Sequence, residues 1–222
     1  MAIELPLVKV IMKLQSLQLA LAGVALSVAP AFSETPLTFS FGGGPTVPGK
    51  YAGRNFNTGF NFKAGAGIHP IRAVGVMAEF GFNRLGLTNG ALSRVGVPDG
   101  SGRIYSATLN PMVHLNPKGR FDVYLIGGGG YYRRTVEFTQ PSSAIATAFD
   151  PFYGILFPVE IATTTVLGSY TQNRGGINAG AGVAVRFQDD KRASFFAESR
   201  YHYIFTSPVR TAYIPVTLGF RW

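Results

Sequence analysis

The last ten residues of the chain alternate between apolar and polar side chains with a period of two. They run from Tyr213 to Trp222 and read Tyr-Ile-Pro-Val-Thr-Leu-Gly-Phe-Arg-Trp. One face of this segment carries Ile214, Val216, Leu218, Phe220 and Trp222. The other face carries Tyr213, Pro215, Thr217, Gly219 and Arg221. Because side chains point alternately to the two faces of a strand, the pattern predicts a β-strand between an apolar and a polar environment.

Seven earlier segments show the same alternation, which predicts eight strands in all. The predicted strands cover residues 37–43, 56–68, 73–85, 103–115, 120–138, 175–187, 194–205 and 213–222. The second–third, fourth–fifth and sixth–seventh (188–191) connections are short turns with Pro, Gly or Asp signals. The first–second, third–fourth and fifth–sixth connections are longer, and the seventh–eighth (206–211) is intermediate. Two prolines, Pro111 and Pro215, each remove a ladder donor and are therefore expected at a bulge or a strand end.

The number of strands and the lengths of their connections indicate the fold class. An even count of alternating segments, each roughly ten residues long, is typical of a small barrel that crosses an outer membrane. Short turns at the periplasmic end and longer extracellular loops are also typical of such barrels, whereas a soluble β-sandwich has no reason to alternate so regularly. The sequence therefore predicts an all-β fold, an eight-stranded antiparallel up-and-down transmembrane β-barrel.

The N-terminus has the order of regions that a secretory signal requires. Lys13 precedes an apolar run at residues 17–28, and a cleavage region with small residues follows, at Ala31 and Ser33. The run is shorter than the ~20 residues that a transmembrane helix needs, so a membrane anchor is the less favoured interpretation. The residues before Met12 are superfluous to such a signal, which makes Met12 an alternative start.

We therefore predict that residues 1–33 are a cleaved signal peptide and that residues 34–222 form the barrel in an outer membrane. Cleavage after Ser33 is favoured over cleavage after Ala31, so the mature chain should begin at Glu34 or Phe32. N-terminal sequencing of the membrane-inserted protein checks this prediction. A mature protein that retained the apolar run would contradict it.

The overall charge argues for a lipid partner. The formal net charge is +9, and +8 remains after residues 1–33 are removed. The basic residues are scattered rather than grouped, which argues against nucleic acid as a partner. Phosphorylated lipid head groups are the better electrostatic partner. Only 14% of the residues are charged, which is low for a soluble protein, and the sequence has no Cys for a disulfide framework.

Three of the predicted strands resemble a known family. Strand six reads Gly-Ile-Asn-Ala-Gly-Ala-Gly-Val-Ala-Val-Arg-Phe from Gly176 to Phe187, and strand seven contains Phe-Ala-Glu-Ser-Arg-Tyr-His-Tyr at 196–203. With the terminal strand, they resemble the outer-membrane protein β-barrel domain family of small eight-stranded barrels of the OmpA/OmpX type. The resemblance implies a monomeric integral outer-membrane protein that contacts outer-membrane lipids, including lipopolysaccharide. It implies no single activity.

The C-terminal strand also resembles the segment that these barrels present to their insertion machinery, because it ends in an aromatic residue. The resemblance therefore implies the barrel-insertion machinery as a partner. The residues of the implied insertion signal are Tyr213, Leu218, Phe220 and Trp222.

The predicted inner face of the barrel carries charges of both signs. Its candidate charge network consists of Lys63, Glu79, Asp122, Arg186, Glu198, Arg200, His202 and Arg221. One interpretation is a salt-bridged plug that holds the barrel shut, and the other is a narrow conduit for ions or small solutes. Eight strands enclose little more than their own side chains, so the plug is favoured.

We expect Glu79 and Glu198 to pair with at least two of the cations Lys63, Arg186 and Arg200. Glycines on the inner face, such as Gly182, are expected to make room for long side chains from the opposite wall.

Residues that would support catalysis are sparse. The histidines His69, His114 and His202 show no metal-ligand spacing, and no Cys is present. A lipid-A-modifying barrel hydrolase would need His, Ser and a carboxylate that converge on the lipid-facing surface. His114 and His202 are phased inward and Ser199 outward. We therefore predict no catalytic residues, no metal and no cofactor.

The longest connection, at about 139–174, contains an aromatic group that is a candidate contact for an extracellular ligand. Its members are Phe149, Phe152, Tyr153 and Phe157. The favoured alternative is that residues 135–137 and 163–170 extend strands five and six as a hairpin that buries these aromatics locally. The sequence thus favours a structural or surface-interaction role, followed by a small-solute channel and then by a lipid-modifying enzyme.

Overall fold

Eight antiparallel strands follow one another around a closed barrel, each hydrogen-bonded to its neighbours in sequence. The computed structural model describes residues 37–187 and 193–222. The strands are β1 (Leu37–Pro48), β2 (Gly59–Ile71), β3 (Val74–Gly86), β4 (Asp99–His114), β5 (Phe121–Asp150), β6 (Ile155–Arg186), β7 (Ser194–Ile204) and β8 (Thr211–Arg221). The predicted eight-stranded antiparallel barrel is confirmed. The predicted signal peptide (1–33) and the predicted turn at 188–191 lie outside the described residues.

The first and last strands close the ring. β1 pairs with β8, with Ser40 opposite Arg221. The backbone N–H of Phe39 donates to the carbonyl of Trp222 at 2.7 Å, and the N–H of Trp222 donates back at 3.0 Å. Closure pairs the backbone groups that lipid cannot hydrogen-bond, which is why a sheet crosses a membrane only as a barrel.

Short helices lie in two of the longer connections, at the end of the barrel away from the chain termini. A 3-10 helix (Ala52–Arg54) follows β1, and α1 (Asn89–Val95) follows β3. The Thr88 side chain caps α1 by accepting from the N–H of Ala91 at 3.2 Å. The helix ends at Gly96, whose φ of 70° is readily adopted by glycine. In the described part of the chain, no helix is long and apolar enough to span a membrane.

The side chains alternate between the two surfaces of the barrel. Seven residues that the sequence places toward lipid are all exposed on the outer surface, namely Phe39, Phe60, Phe80, Leu109, Val183, Tyr201 and Leu218. The alternation of the predicted second strand (56–68) also places Phe56 on that face, and this prediction is wrong. Phe56 precedes β2, bridges to Leu87 and packs against buried residues of the interior. Because β2 begins only at Gly59, its alternation does not extend back to Phe56.

Both prolines lie inside their strands, so the expectation of a bulge or strand end is wrong. Pro111 is paired with Val76 of β3, and the ladder to β5 is interrupted beside it without a change of register. Pro215 is paired with Thr46 of β1, and the ladder to β7 is interrupted beside it in the same way. Beside Pro215 the ladder to β1 is interrupted as well, and the register is unchanged on both sides of each proline.

β5 and β6 extend far beyond the other strands as a hairpin. Their pairing continues to Asp150 opposite Ile155, with one shift of register between Phe138 and Thr139. The pairing of β4 with β5 reaches only to Thr139, and that of β7 with β6 only to Gly176. Above these points the hairpin is a two-stranded ribbon. It is the strand extension that the sequence favoured, in strands of 30 and 32 residues.

The aromatic side chains at the tip of the hairpin are exposed, so the expectation that they are buried locally is wrong. The exposed fractions are 61% for Phe149, 94% for Phe152, 78% for Tyr153 and 39% for Phe157. A ribbon one layer thick has nothing to bury them against. The turn itself is ordered by Asp150, whose Oδ1 accepts from the N–H of Phe152 at 2.8 Å.

Candidate functional site

Four charged side chains meet inside the barrel and are here called the ion cluster. They are Lys63 of β2, Glu79 of β3, and Glu198 and Arg200 of β7. Glu198 and Arg200 are two residues apart and therefore lie on the same face of their strand. The cluster thus joins β7 to strands β2 and β3 across the interior, which ties non-neighbouring strands together.

Arg200 is the centre of the ion cluster. Its Nη1 and Nη2 donate to the two carboxylate oxygens of Glu79 at 2.5 and 2.8 Å, and its Nε donates to Glu198 at 2.5 Å. The Nζ of Lys63 lies 3.4 Å from Glu79 and also donates to Glu198. Two cations therefore balance two carboxylates. Pairing of this kind offsets the cost of burying charge.

Two neutral side chains complete the hydrogen bonding of the acids. Asn110 donates to Oε2 of Glu79 at 2.5 Å, and the Tyr124 hydroxyl donates to Oε2 of Glu198 at 2.9 Å. The alternation of β4 and β5 places both residues inward. The sequence gives no partner for either one, because partners across a barrel depend on its shear.

Two of the predicted network members lie near the short-turn end of the barrel instead. Oδ2 of Asp122 lies 2.5 Å from Nδ1 of His114. Arg186, at the end of β6, donates to the backbone carbonyl of Gly119 at 2.7 Å. Arg186 is therefore not a partner of Glu79 or Glu198, and the predicted single network is divided into separate groups.

The remaining two members contact aromatic rings. The guanidinium of Arg221 lies 4.8 Å from the ring centre of Tyr124 and 5.1 Å from that of Phe196. Contact with ring faces is favourable for a buried cation. The His202 ring stacks on Tyr213 with centroids 4.8 Å apart, and its Nδ1 lies 3.0 Å from the Tyr132 hydroxyl.

Buried apolar side chains fill the barrel on both sides of the ion cluster. Toward the short turns pack Met77, Met112, Tyr124, Ile126, Ala184 and Phe196. Toward the hairpin pack Leu85, Ile104, Tyr132, Ile204 and Tyr213, and beyond them Leu87, Ala91, Leu92 and Val136. A cavity beside the ion cluster has a volume of about 30 Å³, which holds only one or two waters.

Gly182 shows how the interior accommodates its large side chains. A Cβ at Gly182 would collide with the ring of Tyr124, its register partner on the adjacent strand. The expectation that glycines make room for the opposite wall is therefore wrong at this position. The glycine makes room for a neighbour, whose hydroxyl then reaches Glu198.

The residues considered for catalysis do not converge on the outer surface. The Nε2 atoms of His69 and His114 lie 3.2 Å apart near the short-turn end, and His202 is buried higher in the interior. Ser199 is exposed on the outside. Within residues 37–187 and 193–222, no group of three or more His, Asp or Glu could hold a metal ion.

The residues of the implied insertion signal lie on both surfaces of β8 and just beyond its end. Leu218, Phe220 and Trp222 are exposed on the outer face, while Tyr213 is fully buried in the interior. An aromatic contact between Trp222 and Phe39, with centroids 6.2 Å apart, holds the chain end against β1.

The family model described as "Outer membrane protein beta-barrel domain" matches residues 18–221, nearly the whole chain. The chain belongs to this family. Membership implies residence in an outer membrane, with the apolar outer surface of the barrel facing lipid. No curated protein matches the chain.

Two solved barrels are similar to this chain in fold. Neisserial surface protein A is 14% identical, with a TM-score of 0.54 over 83% of this chain and 95% of that one. A major outer membrane protein from Thermus thermophilus is 13% identical, with a TM-score of 0.50 over 84% of this chain and 99% of that one. At such identities the likeness shows the fold alone.

Proposed function

We propose that the protein is a closed, monomeric outer-membrane barrel that acts in surface interaction through its β5–β6 hairpin, without transport or catalysis. The single observation that carries this proposal is the exposed aromatic tip of the hairpin, at Phe149, Phe152, Tyr153 and Phe157. Large exposed apolar groups mark interaction sites, because they are costly to leave in water.

The filled interior supports a structural barrel rather than a conduit. The ion cluster spans the lumen between two layers of packed apolar side chains. An ion that crossed would have to displace these layers and compete for Glu79 and Glu198, which already have partners. The same packing supports a rigid base for the hairpin.

The length of the hairpin places its tip well away from the membrane. The segment from Gln140 to Asp150 extends roughly 35 Å beyond the last residue paired with β4, at ~3.3 Å per residue. In the described residues, its two strands pair only with each other over this length. Their outer edges can therefore accept an extended segment of a partner protein as a further strand.

The charge of the hairpin indicates what kind of partner fits. Residues 139–173 contain two acids, Asp150 and Glu160, and no Lys or Arg. An acidic ribbon is repelled by the phosphates of an outer leaflet, which favours projection away from the membrane. The proposed partner is therefore an extracellular protein with an apolar surface and without excess negative charge.

The other proposed partners act on the barrel itself. Outer-membrane lipids, including lipopolysaccharide, surround its apolar belt, and the barrel-insertion machinery receives the C-terminal strand. Export through the cleaved signal peptide of residues 1–33 precedes both steps.

The proposal is tested by changing the tip while the hairpin is kept. The variant in which Phe149, Phe152, Tyr153 and Phe157 are all replaced by Ser should bind at least ~10-fold more weakly than the wild type, because interface energy is concentrated in buried aromatic residues. The measurement is binding of nanodisc-embedded protein to immobilised extracellular matrix and serum proteins.

A second variant separates the hairpin from the barrel. When residues 141–164 are replaced by Asn-Gly, a favoured two-residue hairpin turn, Gln140 is joined to Thr165, its own register partner. We expect this barrel to change its free energy of unfolding by less than ~1 kcal/mol, because the removed ribbon touches no core residue. Equal binding by all three proteins, or no binding by the wild type, would contradict the proposed function.

A further inference from the structure

Within the described strands below the hairpin, the outward charged side chains are grouped on β3, β4 and β5. Below the hairpin, the outward charged residues of the described strands are Arg84 of β3, Asp99 and Arg103 of β4, and Arg133 and Glu137 of β5. The described outer faces of β1, β2, β7 and β8 carry no charged side chain. Because grouped like charges repel one another, such a grouping favours an anionic partner at that place.

The strand register brings the three arginines together. Arg84 lies directly opposite Arg103, and Arg133 lies opposite Tyr105, diagonally from Arg103. Cross-strand neighbours of these kinds lie about 5–8 Å apart. Like charges directly opposite each other are destabilising without a counter-ion. Glu137 pairs with Arg103, and with Asp99 at the upper end of β4 the sector keeps a net charge of +1.

A surface groove of about 660 Å³ runs through this sector. Arg103 and Arg133 line it, together with Tyr105, Tyr131 and Phe80. The groove thus has guanidinium groups at its upper part and aromatic rings below them. Guanidinium groups bind phosphate through paired hydrogen bonds, and tyrosine rings are favoured at the level of lipid head groups.

The height of the arginines matches the edge of the membrane. Ten residues separate Val74, at the start of β3, from Arg84. At ~3.4 Å per residue and a tilt of about 40°, this corresponds to a rise of roughly 25 Å, the height of the apolar band of such barrels. Phe82 and Tyr105, with ring centroids 5.1 Å apart, lie one step lower and are placed to form part of the aromatic girdle.

We propose that Arg84, Arg103 and Arg133 form a binding site for the phosphorylated head group of an outer-leaflet lipid. The phosphate lies among the guanidinium groups, and the acyl chains run down the groove past Tyr131 and Phe80. This site is separate from the hairpin, so it stands independently of the proposed surface interaction. It fixes one side of the barrel toward a specific lipid.

The test uses native mass spectrometry of the whole protein in detergent micelles, titrated with bis-phosphorylated lipid A. The variant with Arg84, Arg103 and Arg133 replaced by Gln should bind at least ~10-fold more weakly, since each basic group near an anionic lipid contributes to its affinity. The matched control replaces Lys50, Arg54 and Arg94 by Gln. It removes the same charge from exposed positions at the same end of the barrel and should retain wild-type binding within about threefold.

Three further measurements complete the test. Dephosphorylated lipid A should bind the wild type weakly, and inorganic phosphate should not compete, because it cannot occupy the groove. Glu137→Gln removes the acid that competes for Arg103, so this variant should bind lipid A more tightly. The proposal would be overturned if both triple variants lost affinity for lipid A equally, or if dephosphorylated lipid A bound the wild type as well as lipid A does. It would also be overturned if inorganic phosphate alone displaced lipid A, or if Glu137→Gln bound lipid A more weakly. The Glu137 variant keeps the test decisive if the triple arginine variant does not fold.

Discussion

Replacement of Arg200 by Met should lower the free energy of unfolding by about 3–5 kcal/mol, the cost of breaking a buried ion pair by removing one partner. Arg200 holds both Glu79 and Glu198, at 2.5–2.8 Å. Its loss leaves two buried carboxylates with Lys63 as the remaining cation of the ion cluster. The measurement is a urea titration of the refolded barrel in lipid, followed by heat-modifiable gel mobility.

The double variant Glu198→Gln with Arg200→Met should be less destabilised than Arg200→Met alone. It leaves Lys63 facing Glu79, so the remaining charges balance. Arg94→Met, at an exposed position of α1, is the matched control and should change the stability by less than ~0.5 kcal/mol. The single variants Glu198→Gln and Arg200→Met could instead each cost less than a kilocalorie, with costs that add in the double variant. That result would mean that water in the lumen solvates these charges, and it would favour the conduit.

Replacement of Leu109 by Arg should destabilise the barrel by about 2–4 kcal/mol, the cost of a basic residue on the lipid face near the middle of the membrane. Leu109 is exposed on the outer surface of β4, opposite Ala78 and Gly129 of its neighbours. The same refolding titration measures the loss.

Leu156→Arg is the matched control, because Leu156 is exposed on the hairpin, beyond the apolar band. This change should alter stability by less than ~0.5 kcal/mol. A Cys placed at position 109 should resist water-soluble thiol reagents in membranes, whereas a Cys at position 156 should react quickly. Equal stability costs and equal labelling at the two positions would contradict the assignment of the outer face to lipid.

The alternation in the sequence was sufficient to predict the barrel, because side-chain direction in a strand depends only on local position. The inward direction of Glu198 and Arg200 and the outward direction of Leu218 and Phe220 follow from counting by two. Alternation assigned the wrong direction to Phe56, because β2 does not extend back to that residue. Phe56 has the phase of β2 but precedes its start, and there the chain turns inward.

The partners inside the barrel could not be predicted, because they depend on the stagger between strands. Sequence alone left Lys63, Arg186 and Arg200 as equal candidates for the two acids. The register places Arg186 beside Gly119, near the β4–β5 turn, and brings Lys63 and Arg200 to the ion cluster. The hydrogen bond from Tyr124 to Glu198 could not be predicted either, because the Tyr124 ring fits only beside Gly182, its register partner.

The full length of the hairpin could not be predicted from the local alternation of side chains either. Its upper part is rich in Ala, Ser and Thr, and neither face carries a regular apolar series. The continuous register to Asp150 and Ile155 is a property of the pairing between two strands, each weakly patterned alone. The outward arginines are likewise scattered along the sequence and form a group only across three adjacent strands.

The measurement that most directly tests the closed barrel is planar-bilayer recording of the purified full-length protein. The packed layers around the ion cluster predict a baseline current without discrete steps at any applied voltage that the bilayer withstands. The Asn-Gly variant that lacks residues 141–164 should be equally silent, because the barrier lies inside the barrel and not in the hairpin. Reproducible unitary steps from the wild-type protein, absent from a mock purification, would contradict the account and identify the lumen as a channel.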